Sequence, residues 1–204
     1  MLAIVTQTKD RSEFVIRQLH YYAKVGCPYT IYIGDSSGSE HIERTKSAID
    51  KLKGQVEVVY SLYPDKDSPA TLNELLGLVR EKYVSPIADD DFLVPNSIEK
   101  CISFIESHPD YSIVHGKGVV FSIDKIGPYG NIKTLGEYIW GGSGRLTSTE
   151  RVLHYLTEGW NSEFAVHRTE QFIEAYASSQ MIPGKGFSET MSNSMMAIQG
   201  KSKQ

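Results

Sequence analysis

Val84-Ser85-Pro86-Ile87-Ala88-Asp89-Asp90-Asp91-Phe92-Leu93 is the stretch that decides how this chain of 204 residues is read. Val84 to Ala88 is a short, largely apolar run of the length expected for a buried strand, and it stops abruptly on three adjacent carboxylates. Such a triplet repels itself unless a cation or hydrogen-bond donors offset it, and a hard divalent cation is the natural offset. The structural alternative is a solvated acidic turn that caps the helix expected to open near Pro95. The position directly after an apolar strand, with Phe92 and Leu93 behind it, favours a site.

Upstream, apolar runs and helical patterns alternate. Leu2-Ala3-Ile4-Val5 reads as a strand, followed by the polar loop Thr6 to Arg11. Val15, Leu19 and Tyr22 form a helical stripe that closes at Gly26. Thr30 to Ile33 is a second strand, running into the polar loop Gly34-Asp35-Ser36-Ser37-Gly38. After a polar helix around Glu43 to Leu52, Val56 to Tyr60 is β-branched enough for a third strand. Ser68-Pro69 then opens a helix in which Leu72, Leu75, Leu76, Val79 and Tyr83 keep helical spacing. Downstream of the acidic triplet, Ile98, Ile102 and Ile105 mark another helix, and Tyr111 to His115 another strand.

This βαβαβαβαβ order predicts an α/β domain, a mostly parallel sheet with helices on both faces. Gly116 to Gly159 shows no regular period and is expected to form loops that contact substrate. Beyond it, Glu163 to His167 is a strand candidate, Thr169 to Ala177 a helix, and Glu189 to Gln199 a last helix.

Composition narrows the function classes. With 21 Lys+Arg against 25 Asp+Glu, the net charge of -4 offers no broad basic surface for nucleic acid. Two distant cysteines, Cys27 and Cys101, make neither a zinc site nor a disulfide scaffold. No segment reaches the roughly 20 apolar residues of a membrane span, so a cytoplasmic location is expected, with the inner face of the membrane open to it. In open parallel sheets, ligands bind beyond the carboxyl ends of the strands. Thr8 to Arg11, Asp35 to Ser37 and Asp89 to Asp91 all follow strands and therefore predict one cleft.

Taken together, Ile4 to Arg11, Ile33-Gly34-Asp35-Ser36-Ser37, Ala88-Asp89-Asp90-Asp91-Phe92, Ser107 to Gly116 and Phe164 to Glu189 resemble the GT-A glycosyltransferases of the family-2-like group. The resemblance covers most of the chain in order and implies a Rossmann-like single domain. Residues 1–116 would form the nucleotide-sugar half and 117–204 the acceptor and catalytic half. It implies that Thr8, Asp10 and Arg11 line the nucleotide end, that Asp35 receives the uracil or ribose, and that Asp89 and Asp91 share the ribose and a Mg2+ or Mn2+ ion. Asp90 could exchange roles with either.

Glu189 is the expected base, where the family usually has an acidic pair and this chain has Ser188-Glu189. Capping of the first helix is the alternative for Thr8 and Asp10, an Asx-turn for Asp35, and a favourable helix N-terminus for Glu189. Asp90, His115 and Trp140 are candidate donor or acceptor contacts; Asn73 is more simply a surface residue.

The resemblance implies a metal-dependent, inverting transfer of a sugar from a nucleotide donor, UDP-linked by expectation, to a hydroxyl of a glycan or lipid-linked acceptor. A sugar nucleotidyltransferase is a weaker reading, because Thr6 to Arg11 lacks the glycine-rich loop that cradles triphosphate. A non-catalytic nucleotide- or glycan-binding module of the same fold is the reading from another class. The chain is also expected to be the core of a longer protein.

Overall fold

The computed structural model describes residues 1–138, 141–159, 164–179 and 185–204. A seven-stranded sheet runs through the molecule in the order β3-β2-β1-β4-β8-β5-β9. Its strands are β1 (Leu2–Thr8), β2 (Thr30–Asp35), β3 (Val58–Leu62), β4 (Tyr83–Pro86), β5 (Tyr111–Val114), β8 (Val166–Arg168) and β9 (Lys201–Lys203). All neighbours pair in parallel except β8, which is antiparallel to both β4 and β5. The mostly parallel α/β sheet expected from the element order is therefore present, in one domain.

Period-two alternation along β1 supplies both faces of the sheet. Leu2 and Ile4 join a core with Val15, Leu19 and Tyr22 of α1 (Ser12–Lys24), with Leu52 just beyond α2 (Ser39–Lys51), and with Ile98 and Ile105 of α4 (Pro95–Ser107). Ala3 and Val5 face the other way. They pack with Leu72 and Leu75 of α3 (Ser68–Leu76), Phe172 of α6 (Thr169–Ser179) and Met196 of α7 (Lys185–Gln199).

Several boundaries differ from expectation for identifiable reasons. β1 continues to Thr8 because Gln7 and Thr8 pair with Gly34 and Asp35, which are themselves in β2 rather than in a loop. Tyr83 does not extend the helix: α3 ends at Leu76, and Tyr83 opens β4 opposite Leu2, fully buried. Its helical spacing from Leu72 coincides with an inward position on a strand.

The segment from Gly116 to Gly159 is also more regular than expected. It carries a hairpin of β6 (Gly118–Ile123) and β7 (Ile132–Tyr138), then α5 (Ser148–Glu158). Val119, Val120 and Phe121 are consecutive and all exposed, so the hairpin shows none of the alternation that announces a half-buried strand. α5 does have a local signal, the capping box between Thr147 and Glu150. Among the described residues, no helix is long and apolar enough to cross a membrane.

Candidate active site

The acidic triplet turns immediately beyond β4, where the Asp91 amide donates to the Ala88 carbonyl. Asp89 is buried, at 7% exposure. Its carboxylate accepts the Thr8 hydroxyl at 2.8 Å and pairs with Arg11 Nε at 3.0 Å, and the same guanidinium reaches Asp90 Oδ2 at 2.6 Å. Arg17 donates to the Asp90 carbonyl and to the Pro128 carbonyl, tying the turn to the tip of the β6–β7 hairpin. Gln18, fully buried on α1, holds the turn from beneath through the carbonyls of Ala88 and Asp91.

The charge of the triplet is thus offset on one side by Arg11 and Thr8. Asp91 is different, because its carboxylate has no hydrogen-bond or ion-pair partner among the described residues. Burial first, and then the neighbouring Asp90 carboxylate, push the Asp91 carboxyl up from its ordinary value. Burial pushes Asp89 up as well, against the Thr8 hydrogen bond and the Arg11 charge.

Neither Thr8 nor Asp10 caps the first helix, whose N-cap position is Arg11 and has no side-chain cap. Asp10 adopts φ 55°, a left-handed conformation that Asp tolerates. From there its carboxylate accepts the Gly38 amide at 2.8 Å, while its own amide donates to the Ser37 hydroxyl at 2.7 Å. Asp10 therefore joins the β1–α1 turn to the start of α2. Asp35 is 1% exposed and accepts the Ser37 amide at 2.8 Å, which is the Asx-turn arrangement, and the Tyr60 hydroxyl at 2.5 Å. Asn73 is exposed on α3.

Glu189 arrives from the far end of the sequence. It lies in the second turn of α7, not at a helix N-terminus, so the favourable dipole of a first turn is not what places a carboxylate here. α7 is held at its other end by Arg151 of α5, whose buried guanidinium donates to the carbonyls of Ala197 and Ile198. Glu189 lines a cavity of about 300 Å³ with Val5, Gln7, Ala88, Phe172 and Ser192. A larger cavity of about 580 Å³ adjoins it, lined by Asp91, Phe92, His115, Lys117, Phe121 and Tyr138.

The two cavities share Ile87 and Phe164, so Glu189 and Asp91 border neighbouring spaces beyond the carboxyl end of β4. Asp35 lines neither. His115 is anchored, with its ring nitrogens 3.1 Å and 2.6 Å from the carbonyl oxygens of Gly116 and Gly141. Trp140 lies outside the described residues.

Gln18, Arg17 and Tyr60 were not singled out by sequence. Gln18 carries the one available signal, a polar residue one turn along the buried stripe from Val15.

A divalent cation at this site fits the donor set in a limited way. No group of three or more His, Cys, Asp or Glu residues is placed to hold a metal among the described residues. Magnesium commonly takes only one or two protein carboxylates and draws its remaining ligands from phosphates and water. Asp91, whose carboxylate has no partner among the described residues, and Asp89 beside it are the carboxylates that could supply such ligands.

An open, mostly parallel α/β sheet with carboxylates gathered beyond its strand ends defines the Rossmann-like class of ligand-binding folds. Among solved structures, S. aureus TarS has this architecture. TarS 1–349 matches 98% of this chain at 11% identity and TM-score 0.64, the chain covering 57% of it. TarS 1–349 in complex with UDP-GlcNAc matches 85% of the chain at 14% identity and TM-score 0.56, with 46% of it covered. The longer TarS chain gives 16% identity and TM-score 0.55, with 29% covered. The chain thus spans well under two thirds of each of these proteins. No protein-family model and no curated protein matches the sequence.

Proposed function

We propose that this chain is the nucleotide-sugar-binding and catalytic core of a metal-dependent, inverting glycosyltransferase of the GT-A type. The observation that supports the reading is that Asp91 and Glu189, 98 residues apart, line two different cavities that share Ile87 and Phe164. The likeness to a glycosyltransferase solved with UDP and with UDP-GlcNAc supports a UDP-linked donor.

In this reading Thr8 and Arg11 hold Asp89 and shape the nucleotide end, and Asp10 and Asp35 brace the two turns beside it. Asp91, with Asp89, would hold Mg2+ or Mn2+. When bound, that cation offsets the negative charge that grows on the departing nucleoside diphosphate. Glu189 accepts the proton of the acceptor hydroxyl as its oxygen attacks the anomeric carbon, on the side opposite the leaving group. The acceptor is a glycan or a lipid-linked hydroxyl.

Thermal unfolding with UDP, with and without Mn2+, tests the reading. At a ligand concentration of 100 times Kd the expected stabilisation is about 2.7 kcal/mol, a rise of roughly 5–10 °C for a domain of this size. The rise is expected to need Mn2+ and to vanish in Asp91→Asn. A parent protein whose Tm is indifferent to UDP with Mn2+ contradicts it.

A further inference from the structure

The smaller cavity contains a polar side chain, Gln7, with no part in binding the cation or taking the proton. Along β1, Ala3 and Val5 face the core beneath α3, α6 and α7, and Gln7 follows them on the same face by the period of two. A carboxamide therefore stands where the register calls for an apolar side chain. Its Oε1 is buried without a hydrogen-bond partner, and its side chain bonds to no described residue. Among the described residues, it is the only such orphaned atom whose residue lines the cavity with Glu189.

Ser192, one turn beyond Glu189 on α7, lines the same cavity. It is 7% exposed, and its hydroxyl has no partner among the described residues. Leaving the Gln7 carboxamide oxygen buried and unpaired costs stability, so a partner that arrives with the ligand is the natural account, and the Ser192 hydroxyl stands on the same cavity.

The cavity's chemistry identifies the ligand. Apart from Glu189 its described lining is uncharged, so no cation is present to pair with a diphosphate. At about 300 Å³ it sits at the small end of ligand sites, with room for a sugar ring. Phe172 and Tyr176 offer aromatic faces, and Gln7, Ser68 and Ser192 offer polar groups that both donate and accept. Donor and acceptor side by side on a carboxamide match neighbouring hydroxyls on a pyranose. The terminal torsion of a glutamine is broad, so either end of the Gln7 amide can turn towards the ring.

We infer that Gln7 and Ser192 are specificity-determining residues that hold the pyranose ring of the donor beside Glu189, while its diphosphate stays outside, at Arg11 and Asp91. This inference rests on the proposed function and adds the place and partners of the sugar ring.

Calorimetric titration of UDP and of UDP-GlcNAc, with Mn2+, into the parent, Gln7→Leu and Ser192→Ala proteins tests it. Gln7→Leu removes a buried unpaired group and is expected to keep or raise the Tm of the free protein, so misfolding does not obscure the result. The expected outcome is UDP affinity within about twofold of the parent in both variants. UDP-GlcNAc is expected to bind about tenfold more weakly to Gln7→Leu and a few-fold more weakly to Ser192→Ala. Equal losses for UDP and UDP-GlcNAc, no loss for either, or a parent that binds UDP-GlcNAc no more tightly than UDP, each overturns the inference and leaves the proposed function standing. A parent that binds no UDP removes both.

Discussion

Burial and the neighbouring Asp90 and Asp89 carboxylates disfavour the Asp91 charge more than Arg17 and Arg11 favour it. The Asp91 carboxyl lies above its ordinary value, so the folded state binds this proton more tightly than the unfolded chain does. Its contribution to folding therefore becomes more favourable as pH falls through the raised value, and less favourable at neutral pH. The Tm of Asp91→Asn minus that of the parent is expected to be zero or positive at pH 7 and to shrink on acidification; a difference that grows in acid contradicts this. Subtraction matters because Asp110 and Glu150, lowered by hydrogen bonds from Lys201 and Thr147, act in the opposite sense. Tyr60 presents a different case, since burial and the Asp35 carboxylate keep its phenol protonated far above the ordinary range. Tyr60→Phe leaves a buried carboxylate oxygen short of a donor. Its expected cost is about 1.5–3 kcal/mol, seen as a lower midpoint in urea with an unchanged slope. This pairing is not visible in sequence, because Tyr60 lies 25 residues from Asp35 on a neighbouring strand.

At the scale of elements, helices and strands were legible where one face is buried and the other is not. α1 and α4 show their stripes for that reason, and both appear close to where the periodicity puts them. The β6–β7 hairpin was not legible, because its apolar residues are exposed in consecutive positions. Its tip is held to the body by Arg17, which spans from the Asp90 carbonyl to the Pro128 carbonyl, and within the tip Asp124 bonds Asn131. One charge-assisted hydrogen bond contributes roughly 1.5–3 kcal/mol, so Arg17→Met is expected to let the tip open at least about tenfold more often. Hydrogen exchange at the Asp124 and Asn131 amides reads this directly, against unchanged exchange in β1. Exchange that stays at the parent rate at both amides contradicts the latch. β9 was likewise invisible, being three residues long and defined by pairing with β5.

At the scale of the whole molecule, the site joins the two ends of the chain. β1 contributes Thr8 and Gln7, the turn after β4 contributes Asp89 and Asp91, and α7 places Glu189 on the cavity that Gln7 and Ala88 also line. Because Glu189 belongs to a different cavity from Asp91, Glu189→Gln is expected to leave UDP affinity with Mn2+ within about twofold while lowering sugar transfer by about 10²–10⁴-fold. Equal losses in binding and transfer would instead make Glu189 part of the nucleotide site. The sequence by itself determined the order of elements as far as β5, the mostly parallel sheet, and the acidic turn beyond β4, because strand and helix periods and strand-terminal polar turns are local properties of the chain. Only the tertiary structure decided that Arg11 is shared between Asp89 and Asp90, that Asp10 and Asp35 are taken up in bracing turns, and that the Asp91 and Gln7 side chains find no hydrogen-bond partner among the described residues. Those outcomes depend on which side chains meet across tens of residues, and no local pattern encodes the distance between them.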